Sequence, residues 1–224
     1  MDEVQALGRE LTLRLSWVQP GVLTMNGSVP RLADKKRALG RVMALPGLTS
    51  IIDDVTVIPE RILDDGTIRE DLRDALLEDE LFHHCTLSEL QPDGSVLQLG
   101  APAHGLGELL YGVHEGIVSV SGSVTHILLK RLIHVVVWWV PGVRSVVDSV
   151  EAPDDDGEGL VVAVRLAHLR DPFLANDKIH VTADGGVVIL TGQAATAEES
   201  LLAEDDAWAV WDTADVVNRL EVAR

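Results

Sequence analysis

Short runs of β-branched and apolar residues, opened and closed by glycine, recur three times along the chain, at Gly21–Val29, Gly116–Val124 and Gly186–Ala194. Each reads as a glycine turn feeding a half-buried strand. Twenty residues after the closing glycine, a second pattern begins at the same spacing in each copy. It covers Leu45–Val55, Val140–Val150 and Val210–Leu220. The first two carry Pro-Gly, at Pro46 and Gly47 and at Pro141 and Gly142. The third has lost it but keeps the apolar positions and the polar pair. A constant interval marks homologous units, because chance matches do not keep register.

The interval itself has helical periodicity. In the first copy Ala38, Val42 and Leu45 fall on one face, with Lys35, Arg37 and Arg41 between them. Pro-Gly stops that helix, and the β-branched run Leu48–Val57 follows as a strand. A leading helix is expected before the second and third copies. Asp64-Asp-Gly precedes Ile68, Leu72, Ala75, Leu76 and Phe82, and Asp155-Asp-Gly precedes Leu160, Ala163, Leu166, Ala167 and Phe173. The aspartates suit a helix N-terminus. The two phenylalanines, equally spaced from their leaders, are expected to be matching core anchors. The first copy has no such helix, since its opening strand is expected to begin near Leu7.

The expected fold is therefore α+β. It consists of three tandem αββαβ-type units, with helices on one face of short, mostly three-stranded sheets, the first unit lacking its leading helix. The expected units are residues 1–59, 60–152 and 153–224, with an insertion at about 83–105 in the second.

These features resemble the BON domain family. The closest match is the turn and strand Gly186–Gly192, followed by Val140–Asp148 and the Asp-Asp-Gly leaders. The resemblance covers nearly the whole chain. It implies small α+β domains of bacterial envelope and osmotic stress proteins, with phospholipid binding at a membrane surface as a role. A cytoplasmic member that senses a cation or small ligand is a weaker implication.

Charge narrows the partners. The net charge is −18, which disfavours nucleic acid. Residues 1–59 carry 7 basic and 6 acidic side chains, whereas residues 60–155 carry 6 and 17. The first residues contain no basic stretch followed by an apolar one, so no signal peptide is expected. The single cysteine forms no intramolecular disulfide. The expected location is cytoplasmic, or periplasmic if the chain is a trimmed mature form.

The second-copy helix is the most unusual segment. At an offset of 95 residues, Asp34, Arg37 and Arg41 of the first copy become Leu129, Leu132 and Val136. With Val135, Trp138 and Trp139 nearby, this helix is apolar on most sides and must be buried on more than one. Three coverings stand open: the rest of the same chain, a second copy or other protein partner, and a membrane surface. Leu129, Leu132, Val135, Val136, Trp138 and Trp139 are the expected interface. Lys130, Arg131, Lys35, Lys36, Arg37 and Arg41 are the expected contacts to lipid headgroups or to an acidic partner face. The helix bearing Glu199, Glu204, Asp205 and Asp206 is one such face.

No catalytic motif is present: there is no nucleophile elbow, P-loop or dinucleotide fingerprint. His83, His84, Cys85 and His104 are metal-ligand residue types, but their spacing fits no standard site. No metal or cofactor is expected. The expected role is a non-enzymatic scaffold that self-associates or docks a partner through the second-copy helix, with phospholipid binding as the alternative.

Overall fold

A computed structural model describes residues 12–102, 105–154, 159–174 and 178–223. The chain divides into two compact units, residues 1–59 and 60–224.

In the first unit, β1 (Thr12–Gln19) and β2 (Val22–Val29) form an antiparallel hairpin, with Leu15 opposite Met25 and Trp17 opposite Leu23. Helix α1 (Leu32–Met43) crosses over, and β3 (Ser50–Val57) returns parallel to β2. The sheet order is β1-β2-β3. Leu23, Met25, Val29, Val42 and Val55 form the core. Helix α1 rests on β2 and β3.

The second unit repeats this arrangement twice. One repeat consists of β6 (Gly107–His114), β7 (Ile117–Val124), α3 (Ile127–Trp139) and β8 (Ser145–Glu151). The other consists of β9 (Ile179–Asp184), β10 (Val187–Ala194), α5 (Ala197–Ala209) and β11 (Asp215–Val222). Each has an antiparallel pair followed by a parallel one. Before them stand α2 (Asp65–Glu78) and α4 (Gly159–Arg170). Helix α2 lies on β6 and α4 on β9, while α3 and α5 lie on the remaining strands of their sheets. Helices α3 and α4 pack together. Each sheet thus carries its own pair of helices, and the two pairs pack against each other.

Local chemistry explains the repeat. Gly122 and Gly192 sit at φ 126° and 111°, and a Cβ on either would lie 2.0 Å from a backbone carbonyl oxygen, that of Glu108 or of Lys178. Only glycine fits there. The turn after the helix needs a left-handed residue. Gly142 supplies it at φ 89°, and Asp212 supplies it at φ 69° in the third copy. The lost Pro-Gly therefore cost no turn, because aspartate tolerates that region. In all three copies the third strand begins three residues after that turn residue, held to the opening glycine by the amides of Thr49, Arg144 or Ala214 donating to the carbonyls of Gly21, Gly116 or Gly186.

A polar tie between helix and third strand also recurs. Lys35 Nζ lies 2.9 Å from Asp53 Oδ2 and donates to the Val55 carbonyl at 2.6 Å. Lys130 does the same with Asp148 at 2.8 Å and the Val150 carbonyl at 2.6 Å. In the third copy Asn218 Nδ2 donates to the Ser200 carbonyl at 2.9 Å. In each copy the strand side chain also accepts from the amide two residues on, at 3.0 Å.

Two expectations need correction, the equivalence of the two phenylalanines and the shared role of the leading aspartates. The insertion itself joins the sheet. After a 3₁₀ turn at Phe82–His84, β4 (Cys85–Leu90) and β5 (Val96–Gly100) extend the sheet to the order β5-β4-β6-β7-β8. Strand β4 runs parallel to β6, so the second sheet has five strands. The phenylalanines are not equivalent, since Phe82 is buried and Phe173 is 76% exposed. Leu174 takes the core place, because Leu174 N donates to Asp171 O as Phe82 N donates to Asp79 O. The two leaders are thus related by 92 residues rather than 91, which pairs Ile68 with Leu160 and Leu72 with Val164, all buried. Of the two leading aspartates, Asp64 caps α2 through the Thr67 amide at 3.0 Å. Asp65 instead accepts the Glu115 and Gly116 amides at 2.8 Å, tying α2 to the β6–β7 turn. The Asp155-Asp-Gly leader and the expected start near Leu7 lie outside the described residues.

Candidate functional site

Helix α3 sits at the centre of the second unit. Leu129, Leu132, Val135 and Val136 are buried, as are the sheet-facing Ile133 and Val137. Helices α2, α4 and α5 all pack against α3. Both faces of this helix are apolar because both meet protein inside one unit. These four expected interface residues are therefore core, not surface. Trp138 is half-buried, and Trp139 is 37% exposed.

The expected basic contacts are rearranged in the same way. Lys35, Lys130 and Arg131 are held inside their units rather than offered to lipid. Lys35 and Lys130 form the helix–strand ties, and Lys130 Nζ also lies 4.1 Å from the centre of the Trp211 ring. Arg131 is 1% exposed, with Nη2 3.5 Å from Asp212 Oδ2. Lys36 and Arg37 are half-buried on α1, and Arg41 is exposed. The acidic face expected on α5 is also interior, with Glu199, Glu204 and Asp206 buried.

What α3 leaves open is its C-terminal end. A groove of about 520 Å³ runs between α2 and the end of α3, with Val136, Trp139, Val140 and Pro141 on one side. Asp71, Ala75, Glu78, Asp79 and Glu80 form the other, and Arg170 closes it. Arg170 Nη2 lies 3.2 Å from Asp79 Oδ1, joining α4 to the end of α2. The groove has an apolar wall, an acidic rim and an indole at its mouth, which suits an apolar segment carrying a basic residue.

Trp139 links this groove to the interior. Its Nε1 donates to Asp206 Oδ1 at 2.9 Å. Burial pushes the Asp206 carboxyl up, against the Trp139 bond, and the neighbouring Asp171 and Asp205 add to the rise, to about 7. Asp171 is itself buried. His168 is buried beside this cluster and donates from Nε2 to the Ala203 carbonyl at 2.9 Å. Burial lowers its pKa, which favours neutral imidazole.

The most charged interior cluster surrounds Glu89 of β4. Arg73 of α2 donates to both carboxylate oxygens, at 2.9 and 2.8 Å, and the Tyr111 hydroxyl donates at 2.6 Å. Gln91 adds a further donor, and Arg69 Nε lies 3.6 Å away. Burial raises the Glu89 pKa, but these donors outweigh it and the net shift is downward. With its oxygens so engaged, Glu89 acts as a clamp that fastens the added strand to α2. Sequence reasoning missed it, because Arg73, Glu89 and Tyr111 share no motif and meet only through the parallel β4–β6 pairing.

His83 Nε2 bonds the Leu77 carbonyl at 2.6 Å, and Cys85 is buried in β4, where burial raises its thiol pKa. His104 lies outside the described residues. Among the described residues no three His, Cys, Asp or Glu side chains group as they would around a metal. No helix among them is long and apolar enough to cross a membrane.

Residues 112–153 and 159–224 match the family model of the BON domain. None of the curated proteins matches the chain. Among solved structures the chain is similar to the C-terminal domain of CdsD, the structural protein of the type III secretion system of Chlamydia trachomatis. The identity is 17%, over 95% of this chain and 90% of that one, with a TM-score of 0.28. A second CdsD structure gives 17% identity over 94% and 85%, with a TM-score of 0.27.

Proposed function

We propose that the chain, whose residues 112–153 and 159–224 match the family model of the BON domain, is a non-enzymatic scaffold that docks protein through the groove at the end of α3. The supporting observation is the groove itself. It is where α3 remains reachable, and it sets Trp139, Val136 and Val140 against the acidic rim of α2. Interface energy concentrates in anchors of this kind, a tryptophan in a partly enclosed apolar setting.

The test is the solution mass by light scattering, for the wild type and for Ala75→Arg, which fills the groove without touching the core. Self-association through the groove predicts a wild-type mass above 24.2 kDa that falls to the monomer in the variant. A mass above the monomer that is unchanged in Ala75→Arg would remove the groove from the interface. A monomer in both would remove self-association.

Contact with anionic lipid is a second reading. It rests on exposed Arg41 flanked by exposed Met43 and Leu45 at the end of α1. Flotation with phosphatidylglycerol vesicles that is lost in Arg41→Glu would support it. Salt-independent flotation would contradict a headgroup contact.

A further inference from the structure

The three sheets can be superposed by strand register. Leu13 lies opposite Gly27, Leu109 opposite Gly122, and Ile179 opposite Gly192. Two residues on, Leu15, Tyr111 and Val181 lie opposite Met25, Val120 and Leu190. These are equivalent positions on the helix-facing side of the first strand. Leu109, Tyr111, Ile179 and Val181 are buried, beneath α2 or α4. Leu13 and Leu15 are only half-buried, and Trp17, next on the same face, is 61% exposed. Among the described residues of the first unit, no helix lies over β1.

The neighbouring helix shows what belongs there. Val136 and Val140 face α2 across the groove, and their counterparts 95 residues earlier are Arg41 and Leu45, both exposed. Helix α2 puts Ile68, Leu72 and Leu76 on its sheet and carries Asp71 and Glu78 along the flank facing α3. A helix of that pattern, set on β1, would bury Leu13, Leu15 and Trp17. It would also bring its carboxylates to Arg41.

We infer that the open side of the first unit's sheet binds, in trans, an amphipathic helix of a partner protein. Its apolar positions recur at i, i+4 and i+8, and its flank is acidic. The inference rests on the interaction reading above but uses a different surface from the groove. Such a helix would complete the two-helix layer that the other two sheets have already. Arg41 supplies the register and the charge selectivity.

The test uses the full chain and a fluorescein-labelled peptide of residues 64–79. The peptide is kept helical by a lactam between Glu70 and a lysine introduced by Asp74→Lys; both positions are exposed in α2. The expected result is saturable one-to-one binding by anisotropy. It should be abolished by Leu72→Asp in the peptide and weakened at least fivefold by Arg41→Glu or Trp17→Asp in the chain. Both chain positions are exposed, so folding is retained and is checked by circular dichroism. Ala75→Arg should bind as the wild type does, which separates this surface from the groove.

Four results would overturn the inference. One is no saturation, and another is binding that ignores both Arg41→Glu and Trp17→Asp. The third is binding seen only after residues 1–11 are removed, because the chain would then fill the site itself. A wild-type oligomer that Trp17→Asp dissociates, with no peptide binding, would assign the face to a second copy and also overturn it.

Discussion

Helices α1 and α3 are equivalent in position and opposite in character. Both follow the same glycine-marked strand, and both rest on the second and third strands of their sheets. Both are tied there by a lysine and an aspartate. On the far side, α1 has Arg37 and Arg41 where α3 has Leu132 and Val136. The difference follows from what each far side meets: α4, α5 and α2 for α3, whereas among the described residues of the first unit no second helix stands beside α1. A helix that is apolar all round therefore reports a second layer of protein. It does not by itself report a partner.

The largest expected effect separates the two helices directly. Leu132→Asp places a carboxylate in a fully buried site and should cost more than about 4 kcal/mol, enough to unfold the second unit. Arg37→Asp, at the equivalent position of α1, should cost less than about 1 kcal/mol. Urea unfolding of the two variants measures both. Equal costs would mean that the helices are not in different environments.

Asp206 comes next. Its folded pKa of about 7 lies above the ordinary 3.8. The folded state therefore holds the proton more tightly, and stability falls as pH rises from about 4 through 7. Asp206→Asn keeps an acceptor for Trp139 and removes the buried charge. It should stabilise the chain at pH 8 by on the order of 1–3 kcal/mol and much less near pH 4. Thermal melts across that range decide the matter. A gain that does not depend on pH would contradict the assignment.

The helix–strand tie of the second copy has the opposite pH sense. Burial raises the Asp148 pKa, but His134, Lys130 and the Val150 amide outweigh it and leave the group at about 2. Its contribution is present above the ordinary 3.8 and is lost as pH falls through 2. Asp148→Asn should cost roughly 1–2 kcal/mol at pH 7 and almost nothing near pH 2. Asp53→Asn should cost less, since Asp53 is 33% exposed. The third copy already carries the neutral form of this tie in Ser200 and Asn218. The smallest effect is that of Arg41→Glu, which should alter stability by no more than about 0.5 kcal/mol while altering peptide and vesicle binding.

Much of the fold was legible in the sequence, because the glycines that mark it are required by backbone contact. Gly122 and Gly192 cannot be replaced, so the strand after each opening turn kept its spacing and could be read in register. Asp212 shows how a turn survives without its glycine. Less legible were features fixed by distant pairing. The insertion holds alternating residues such as Cys85, Leu87 and Glu89, but only β6 reveals that they form a parallel strand. The Phe82–Phe173 match failed by one residue because both leaders are short and the aromatic at 173 is incidental; Leu174 fills that place. The acidic run on α5 read as a solvated face, yet Glu199 accepts the Ala195 amide and Glu204 accepts from Asn218. Such buried carboxylates look like surface charge until their donors are known. The apolar surplus of α3 was read correctly as two-sided burial, but one sequence could not say which body lay on the second side.

The most direct test of that answer is hydrogen exchange along α3 in the intact chain, measured at 1 µM and again at 100 µM protein. The account predicts that the amides of Leu132–Val137 exchange only through global opening of the second unit, equally slowly at both concentrations. Protection that rises with concentration would contradict it, because the far side of α3 would then be covered by another copy rather than by α2, α4 and α5.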